Sequence, residues 1–413
     1  MIYDVRTYGA IADGKTLCTK AIQAAIDDCY AAGGGQVMLE GGVFVSGTII
    51  LRSFVDFHIE ANATLLASPN CDDFPERSDV RHVDSAMLPR CRNACFIFAE
   101  ESRNFSITGL GTIDCNGSAF VKPVENYEGG WMYERIDALT PPRAVFLTGC
   151  RFVRIEDVSM INQPAGWSYW IHDCDFVTCD KLKLISNVHY PNSDGIHINC
   201  SRDITVSNCN IITGDDAIIV RANNSSLPEN KVCERVTVTN CTITSYADGI
   251  RIGWLNDGVI RNCTFSNIVM TETNTGIVIQ LPSHKEGIRW PDEGREDTLI
   301  ENLSFSNIVM DQIYASPIRI LINVKCVRCK AVRRIFFDNI HARGLEYPHF
   351  KGRPDCLITD VVFSNCSFER MTDEEMPQYR HHGSADWDRP LNNKMFEFVD
   401  NITVNNTTFS SKQ

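Results

Sequence analysis

No basic run appears anywhere in the 413 residues, and acidic side chains outnumber basic ones 52 to 39, for a formal net charge of −13. Nucleic acid and anionic membranes are recognised through clustered Lys and Arg, so neither is expected as a partner. Apolar runs of about 18 residues are missing too, which predicts no membrane-spanning helix. Glycine and proline number only 26 and 16, and charged residues make up 22%, which excludes collagen-like sequence and argues against disorder. The start, Met1-Ile2-Tyr3-Asp4-Val5-Arg6, lacks the basic stretch and apolar segment that secretion uses. Read with that, the 18 cysteines are expected as reduced thiols in a cytoplasmic setting. A secreted chain whose leader had been removed would read the same way.

What is present in abundance is repetition. Short apolar strands meet Asn-Cys turns at Asn208-Cys209, Asn240-Cys241, Asn262-Cys263 and Asn365-Cys366. The text Phe265-Ser266-Asn267-Ile268-Val269-Met270 returns as Phe305-Ser306-Asn307-Ile308-Val309-Met310. A second unit, a small or polar bend followed by Ile-x-Ile/Val, begins at Asp194, Asp216, Asp248, Thr275 and Ser316, with steps of 22, 32, 27 and 41 residues. A step near 22 suits one coil of a parallel β-helix, and the longer steps add loops. The two-residue strand period points the Ile side chains inward and the residues between them (His197, Ile219, Arg251, Val278, Arg319) outward. Stacked coils bury what one coil cannot. Asn accepts left-handed turn geometry, and small Cys packs in the stack. The expected fold is all-β, a right-handed parallel β-helix solenoid.

Residues 1–35 read as an N-terminal cap region, in which the Ala-rich stretch Thr19–Ala32 and Gly33-Gly34-Gly35 predict a short amphipathic helix with a glycine stop. Such a helix covers the open end of a solenoid. Loop insertions are expected near 68–93, 114–143, 281–297 and 370–393, carrying Trp131, Trp290 and Trp387 as cleft walls or decoration. No linker is visible, so 1–413 reads as a single catalytic domain.

The densest chemistry runs from His189-Tyr190-Pro191-Asn192-Ser193-Asp194-Gly195 to Thr213-Gly214-Asp215-Asp216-Ala217. If Asp194 and Asp216 share a bend one coil apart, their Cα atoms are separated by about 4.8 Å. Crowded carboxylates repel, so at least one keeps its proton near neutral pH. Glycoside hydrolysis needs that pairing: one protonated acid for the leaving oxygen and one carboxylate to activate water. A lone Asp-Gly or Asp-Asp is ordinary turn chemistry, but two aligned copies favour a catalytic role for Asp194, Asp215 and Asp216.

These segments resemble glycoside hydrolase family 28, the polygalacturonase family, in Asn192-Ser193-Asp194-Gly195 and Gly214-Asp215-Asp216. The resemblance extends to Val5-Arg6-Thr7-Tyr8-Gly9-Ala10 and Gly109-Leu110-Gly111-Thr112-Ile113-Asp114. It implies an inverting hydrolase without metal or other cofactor, in which Asp215 is the general acid while Asp194 and Asp216 hold and deprotonate water. The family's Gly-His-Gly stands here as Ala247-Asp248-Gly249, and its Arg-Ile-Lys as Val278-Ile279-Gln280. Two cations expected to grip a galacturonate are thus replaced, with Arg251 and Arg221 as candidate substitutes. Candidate substrate-binding residues are Asp248, Arg251, Arg221, His189, His197, Gln280, Trp167 and Trp254. For each, a structural role is the competing expectation: turn chemistry for Asp248, a salt bridge for Arg251, a buried hydrogen bond for the histidines, packing for the tryptophans. Alternatively the sugar has no carboxylate and Asp248 hydrogen-bonds its hydroxyls. Either way the departures point away from a standard polygalacturonase. A cytoplasmic enzyme that meets short oligosaccharides points to exo action on the terminal residue of pectin-derived or related oligosaccharides or glycosides. A lyase or epimerase on the same scaffold, or a catalytically inactive carbohydrate-binding β-helix, remain the alternative expectations. Cys326-Val327-Arg328-Cys329 lacks the second pair a closed zinc site needs, and nothing in the residues sets the oligomeric state.

Overall fold

The computed structural model describes residues 1–76, 94–126, 131–136, 141, 143–163, 166–254, 257–281, 297–323, 328–375 and 395–411. Its described residues form a 22-stranded sheet, an 11-stranded sheet and a two-stranded hairpin. Every pairing in the two large sheets is parallel and joins one coil to the next. This is the expected right-handed parallel β-helix.

The repeats align as the spacing predicts. Ile196, Ile218, Ile250, Ile277 and Ile318 occupy one column of the 11-stranded sheet, and all are fully buried inside the coil. Phe265 faces Phe305 in register, and the ring stack continues through Phe337 and Phe363 at centroid distances of 4.9, 5.1 and 5.0 Å. Those distances match the strand spacing, so each coil adds one ring. The described cysteines are free thiols, all buried except Cys71 and Cys329; Cys326 lies outside the described residues.

Asparagine ladders line the turns. Asn208, Asn240, Asn267, Asn307, Asn339 and Asn365 all have positive φ, and side-chain amides bond between coils, as from Asn307 to Asn267 (3.2 Å) and Asn339 to Asn307 (2.9 Å). Asn262 does not belong to this ladder. It stands at an earlier corner with Asn302, whose amide it accepts at 2.6 Å, because the strand through Cys263 and Phe265 precedes the ladder turn on the same coil.

The capping helix spans Thr19–Ala31 and buries Ile22, Ala25, Ile26 and Cys29. Gly33, Gly34 and Gly35 follow with φ of 95°, 111° and 152°. Residues 1–35 are more than a lid, however: Ile2–Asp4 pairs with Gly35–Leu39, and Asp13–Leu17 with Gly42–Ser46. The ladder therefore starts at residue 2, since β-bridging groups flank the helix on both sides. Of the expected insertions, 114–143 shows an antiparallel hairpin, Val121–Pro123 with Tyr133–Arg135. Most of the other three, with Trp290 and Trp387, lies outside the described residues.

Among the described residues no helix is long and apolar enough to cross a membrane. The ladder amides satisfy one another while holding a left-handed backbone that asparagine tolerates better than other side chains. Asn307→Ala should therefore lower the free energy of unfolding by roughly 1–2 kcal/mol. Urea unfolding measures this, and an unchanged midpoint would refute the ladder's contribution.

Candidate active site

Two strand ends of the 11-stranded sheet carry the carboxylates. Asp194 precedes Ile196–Asn199 and Asp216 precedes Ile218–Arg221, and the Gly195 amide donates to the Asp216 carbonyl at 2.8 Å. On the next coil, the Ala217 amide donates to the Asp248 carbonyl at 2.9 Å. Asp194, Asp216 and Asp248 thus stack at successive rungs, with Asp215 on the shoulder.

The glycines make this stacking possible. A Cβ on Gly195 would sit 2.1 Å from the Ala217 carbonyl oxygen, and one on Gly214 would sit 2.5 Å from Ser193 Oγ. Ser193 Oγ instead accepts the Gly214 amide (3.1 Å) and donates to the Tyr190 carbonyl (3.1 Å). Thr213 and Ser245 hydroxyls donate to the Asp215 carbonyl at 2.6 and 2.8 Å. The backbone of the Asp215 shoulder is therefore held from both neighbouring segments.

The side chains converge. One carboxylate oxygen from each of Asp194, Asp215 and Asp216 lies within 4.8 Å of the others. Asp194 and Asp216 are buried, both at 4% exposure, whereas Asp215 is partly open to solvent. Burial together with the neighbouring acids raises the Asp194 carboxyl well above its ordinary range, and burial and Asp216 do the same to Asp215. Asp248 is pushed up to about 7 by burial and by Asp216.

Arg251 supplies the balancing charge. Its Nη1 lies 2.7 Å from Asp216 and 3.6 Å from Asp248, its Nη2 donates to Gln280 Oε1 at 3.3 Å, and its guanidinium carbon sits 3.8 Å from the Trp254 ring centroid. Asp216 also accepts the Asp248 amide at 3.2 Å. Among the described residues the three acids form a set that could hold a cation, but a guanidinium already occupies that electrostatic role at Asp216.

Histidine and tryptophan complete the wall. His197 is 3% exposed, bonds Asp194 through Nε2 at 3.0 Å, and stacks on Trp167 at 4.3 Å. Burial and the charges of Arg221, Arg143 and Arg251 keep its imidazole neutral, far below its usual titration range. Trp167 is itself only 8% exposed and also stacks on Trp170 at 4.6 Å. His189 packs edge-on against Tyr246 at 5.2 Å, and its own burial lowers its pKa.

The structure thus brings together Asp194, Asp215, Asp216, Asp248, Arg251, Gln280, His197, Trp167 and Trp254. Arg221 is held elsewhere: its guanidinium forks onto the fully buried Asp257 through Nε and Nη2 at 2.8–3.1 Å. The outward column is less open than its strand parity implies, with Ile219 and Val278 each at 1% exposure and Arg319 at 6%.

Three contacts had no signal in the local text. Arg135 Nη2 donates to Asn192 Oδ1 at 3.0 Å, and Asn192 Nδ2 in turn donates to Asp215 at 3.3 Å. The Trp131 indole N–H donates to the Gly214 carbonyl at 3.2 Å. Both Arg135 and Trp131 come from the 114–143 insertion, some 80 residues before the acids they support, so only the folded loop reveals the link. Arg143, buried over Trp167 at 5.0 Å, was missed for the same reason.

Clustered acids beside a neutral buried histidine and tryptophans on a parallel β-helix are the features of a glycoside hydrolase of the β-helix class. Residues 86–233, which include Asp194, Asp215 and Asp216, match the model of Glycosyl hydrolases family 28. The match spans about a third of the chain and supports membership of that family. It is 23% identical to an exopolygalacturonase of Arabidopsis thaliana over 80% of this chain and 77% of that one. It is 29% identical to an endo-polygalacturonase of Pectobacterium carotovorum subsp. carotovorum over 68% and 76%. Among solved structures, the exopolygalacturonase of Yersinia enterocolitica superimposes with TM-score 0.74 at 20% identity, covering 100% of this chain and 76% of that one. That of Thermotoga maritima gives 0.70 at 20%, covering 90% and 87%. Both likenesses concern the fold.

The raised Asp248 carboxyl has a consequence for stability. The folded chain keeps this proton up to about pH 7, while the unfolded chain releases it from about pH 4. Between those values the folded state binds more protons, so stability falls as pH rises through the window and stays reduced above it. Asp248→Asn should leave stability nearly unchanged below pH 4 and raise it, on the order of 2 kcal/mol, at pH 8. Thermal unfolding of both proteins at the two pH values tests this; equal differences at both would refute it.

Proposed function

We propose that this enzyme is an inverting hydrolase that removes the terminal residue from pectin-derived or related oligosaccharides. The observation that carries the reading is the convergence of the Asp194, Asp215 and Asp216 oxygens within 4.8 Å, with Asp215 the most solvent-facing of the three. Asp215, holding its proton near neutrality, donates it to the glycosidic oxygen as the bond to the anomeric carbon breaks. A water between Asp194 and Asp216 attacks that carbon and passes a proton to Asp216. Arg251, 2.7 Å from Asp216, keeps it oriented toward the water. His197 orients Asp194, and Asp248, Gln280, Trp254 and His189 line the space where sugar hydroxyls and ring faces bind. Relatives named for exo- and endo-cleavage of polygalacturonate support a pectic substrate, and the altered residues at 248, 278 and 280 support a departure from the standard one. Free, mostly buried thiols support a reducing, cytoplasmic setting, where short oligosaccharides favour exo action.

One observation favours a second reading. Inverting enzymes usually leave about 6.5–9.5 Å between acid and base, and retaining ones about 5–5.5 Å, and the spacing here is compact. Retention would make one carboxylate the nucleophile.

Asp215→Asn should lower kcat by about 10²–10⁴-fold while leaving binding of the oligosaccharide intact. The assay screens pectic oligosaccharides and aryl glycosides, including galacturonides and rhamnosides, with chromatography of products. Proton NMR of the first-formed anomer should show inversion. Near-wild-type turnover by the variant would sink the assignment of the acid, and an unsaturated product would point to a lyase.

A further inference from the structure

We propose that Arg319, two rungs beyond Arg251 on the outward column, receives the carboxylate of an acidic sugar. This rests on the hydrolase reading of the site and extends it to the charge of the substrate. The register aligns Arg251, Val278, Arg319 and His349 on successive strands. Two rungs place the Arg319 backbone about 10 Å from that of Arg251, along the same wall and on the C-terminal side of the catalytic acids. The charge of Arg319 reaches far enough to be felt at Asp248.

The two arginines differ in what holds them. Arg251 is engaged by Asp216, Asp248, Gln280 and the face of Trp254. A substrate carboxylate there would have to displace internal partners and sit against the catalytic acids. Arg319 is 6% exposed, and the acid beside it is Glu346, met by Nη2 alone at 3.4 Å. Its Nε is buried with no acceptor.

The Nε–Nη2 edge is the one that forks a carboxylate. In this chain Arg221 uses it on Asp257, and Arg235 uses it on Asp203. On Arg319 that edge is half used. A buried guanidinium N–H without an acceptor is costly, and a planar carboxylate arriving with the substrate satisfies both donors at once. The intervening Val278 is apolar and buried, so no side chain at that position of the column competes. Arg319 thereby takes over, from a different rung, the charge recognition that residues 278 and 280 do not provide.

Calorimetry on the Asp215→Asn background tests the assignment without turnover. The probes are trigalacturonate and the same oligomer with its carboxyls reduced to alcohols. Adding Arg319→Gln should weaken trigalacturonate binding at least ten-fold and leave the reduced oligomer unaffected. Arg319→Lys, which keeps charge but loses the fork, should fall between, and Glu346→Gln should tighten trigalacturonate binding. In the active protein, Arg319→Gln should raise KM for trigalacturonate with kcat nearly kept. Equal loss on both oligomers, no loss on either, or no preference for the acidic oligomer before substitution would overturn the proposal. Failure of the hydrolase reading registers separately, as charge-selective binding without product.

Discussion

Parallel hydrogen bonding between coils sets the scale for everything in this molecule. Each coil advances by one strand spacing, about 4.8 Å, so any residue type repeated at the same coil position forms a column whose members touch. For isoleucine and phenylalanine that contact is favourable and builds the core. For asparagine it is favourable through amide-to-amide bonds. For aspartate it is unfavourable, and the resulting repulsion helps to raise the carboxyl pKa values. Asp194, Asp216 and Asp248 are stacked where water is scarce, and burial there raises the carboxyls of Asp194 and Asp248.

Holding such a stack together requires compensation, and the surrounding residues supply it. Arg251 answers Asp216 and Asp248, His197 answers Asp194, and Asn192 answers Asp215. Arg251 in turn rests on Trp254 and Gln280, while His197 rests on Trp167. Asp248 and Arg251 are thus two halves of one arrangement. An extra acid is tolerated because a guanidinium three residues later lies on the adjacent outward column.

Much of this was legible in the residues. The period-two alternation of Ile-x-Ile and the 22-residue step suited a ladder, and the ladder buries those isoleucines in register. The Asn-Ser-Asp-Gly and Gly-Asp-Asp segments located the acids, and the glycine stop located the cap. Asn262 was misassigned because the local text of its turn, Asn-Cys-Thr, is the same at two different corners of the coil, and only the register separates them. Arg221 was a plausible substitute cation by position, but Asp257, 36 residues later, holds it.

Periodic features, then, were determined by the sequence alone: local alternation depends on neighbours two residues apart, and the backbone obeys it wherever the chain runs. Tertiary structure decided which charges meet. Whether Arg251 faces Asp216, Arg221 faces Asp257, or Arg135 and Trp131 reach the Asp215 shoulder depends on loop lengths between coils and on side-chain direction. Electrostatic attraction and repulsion act through space at a few ångströms, and residues far apart along the chain reach those distances only after the coils have stacked.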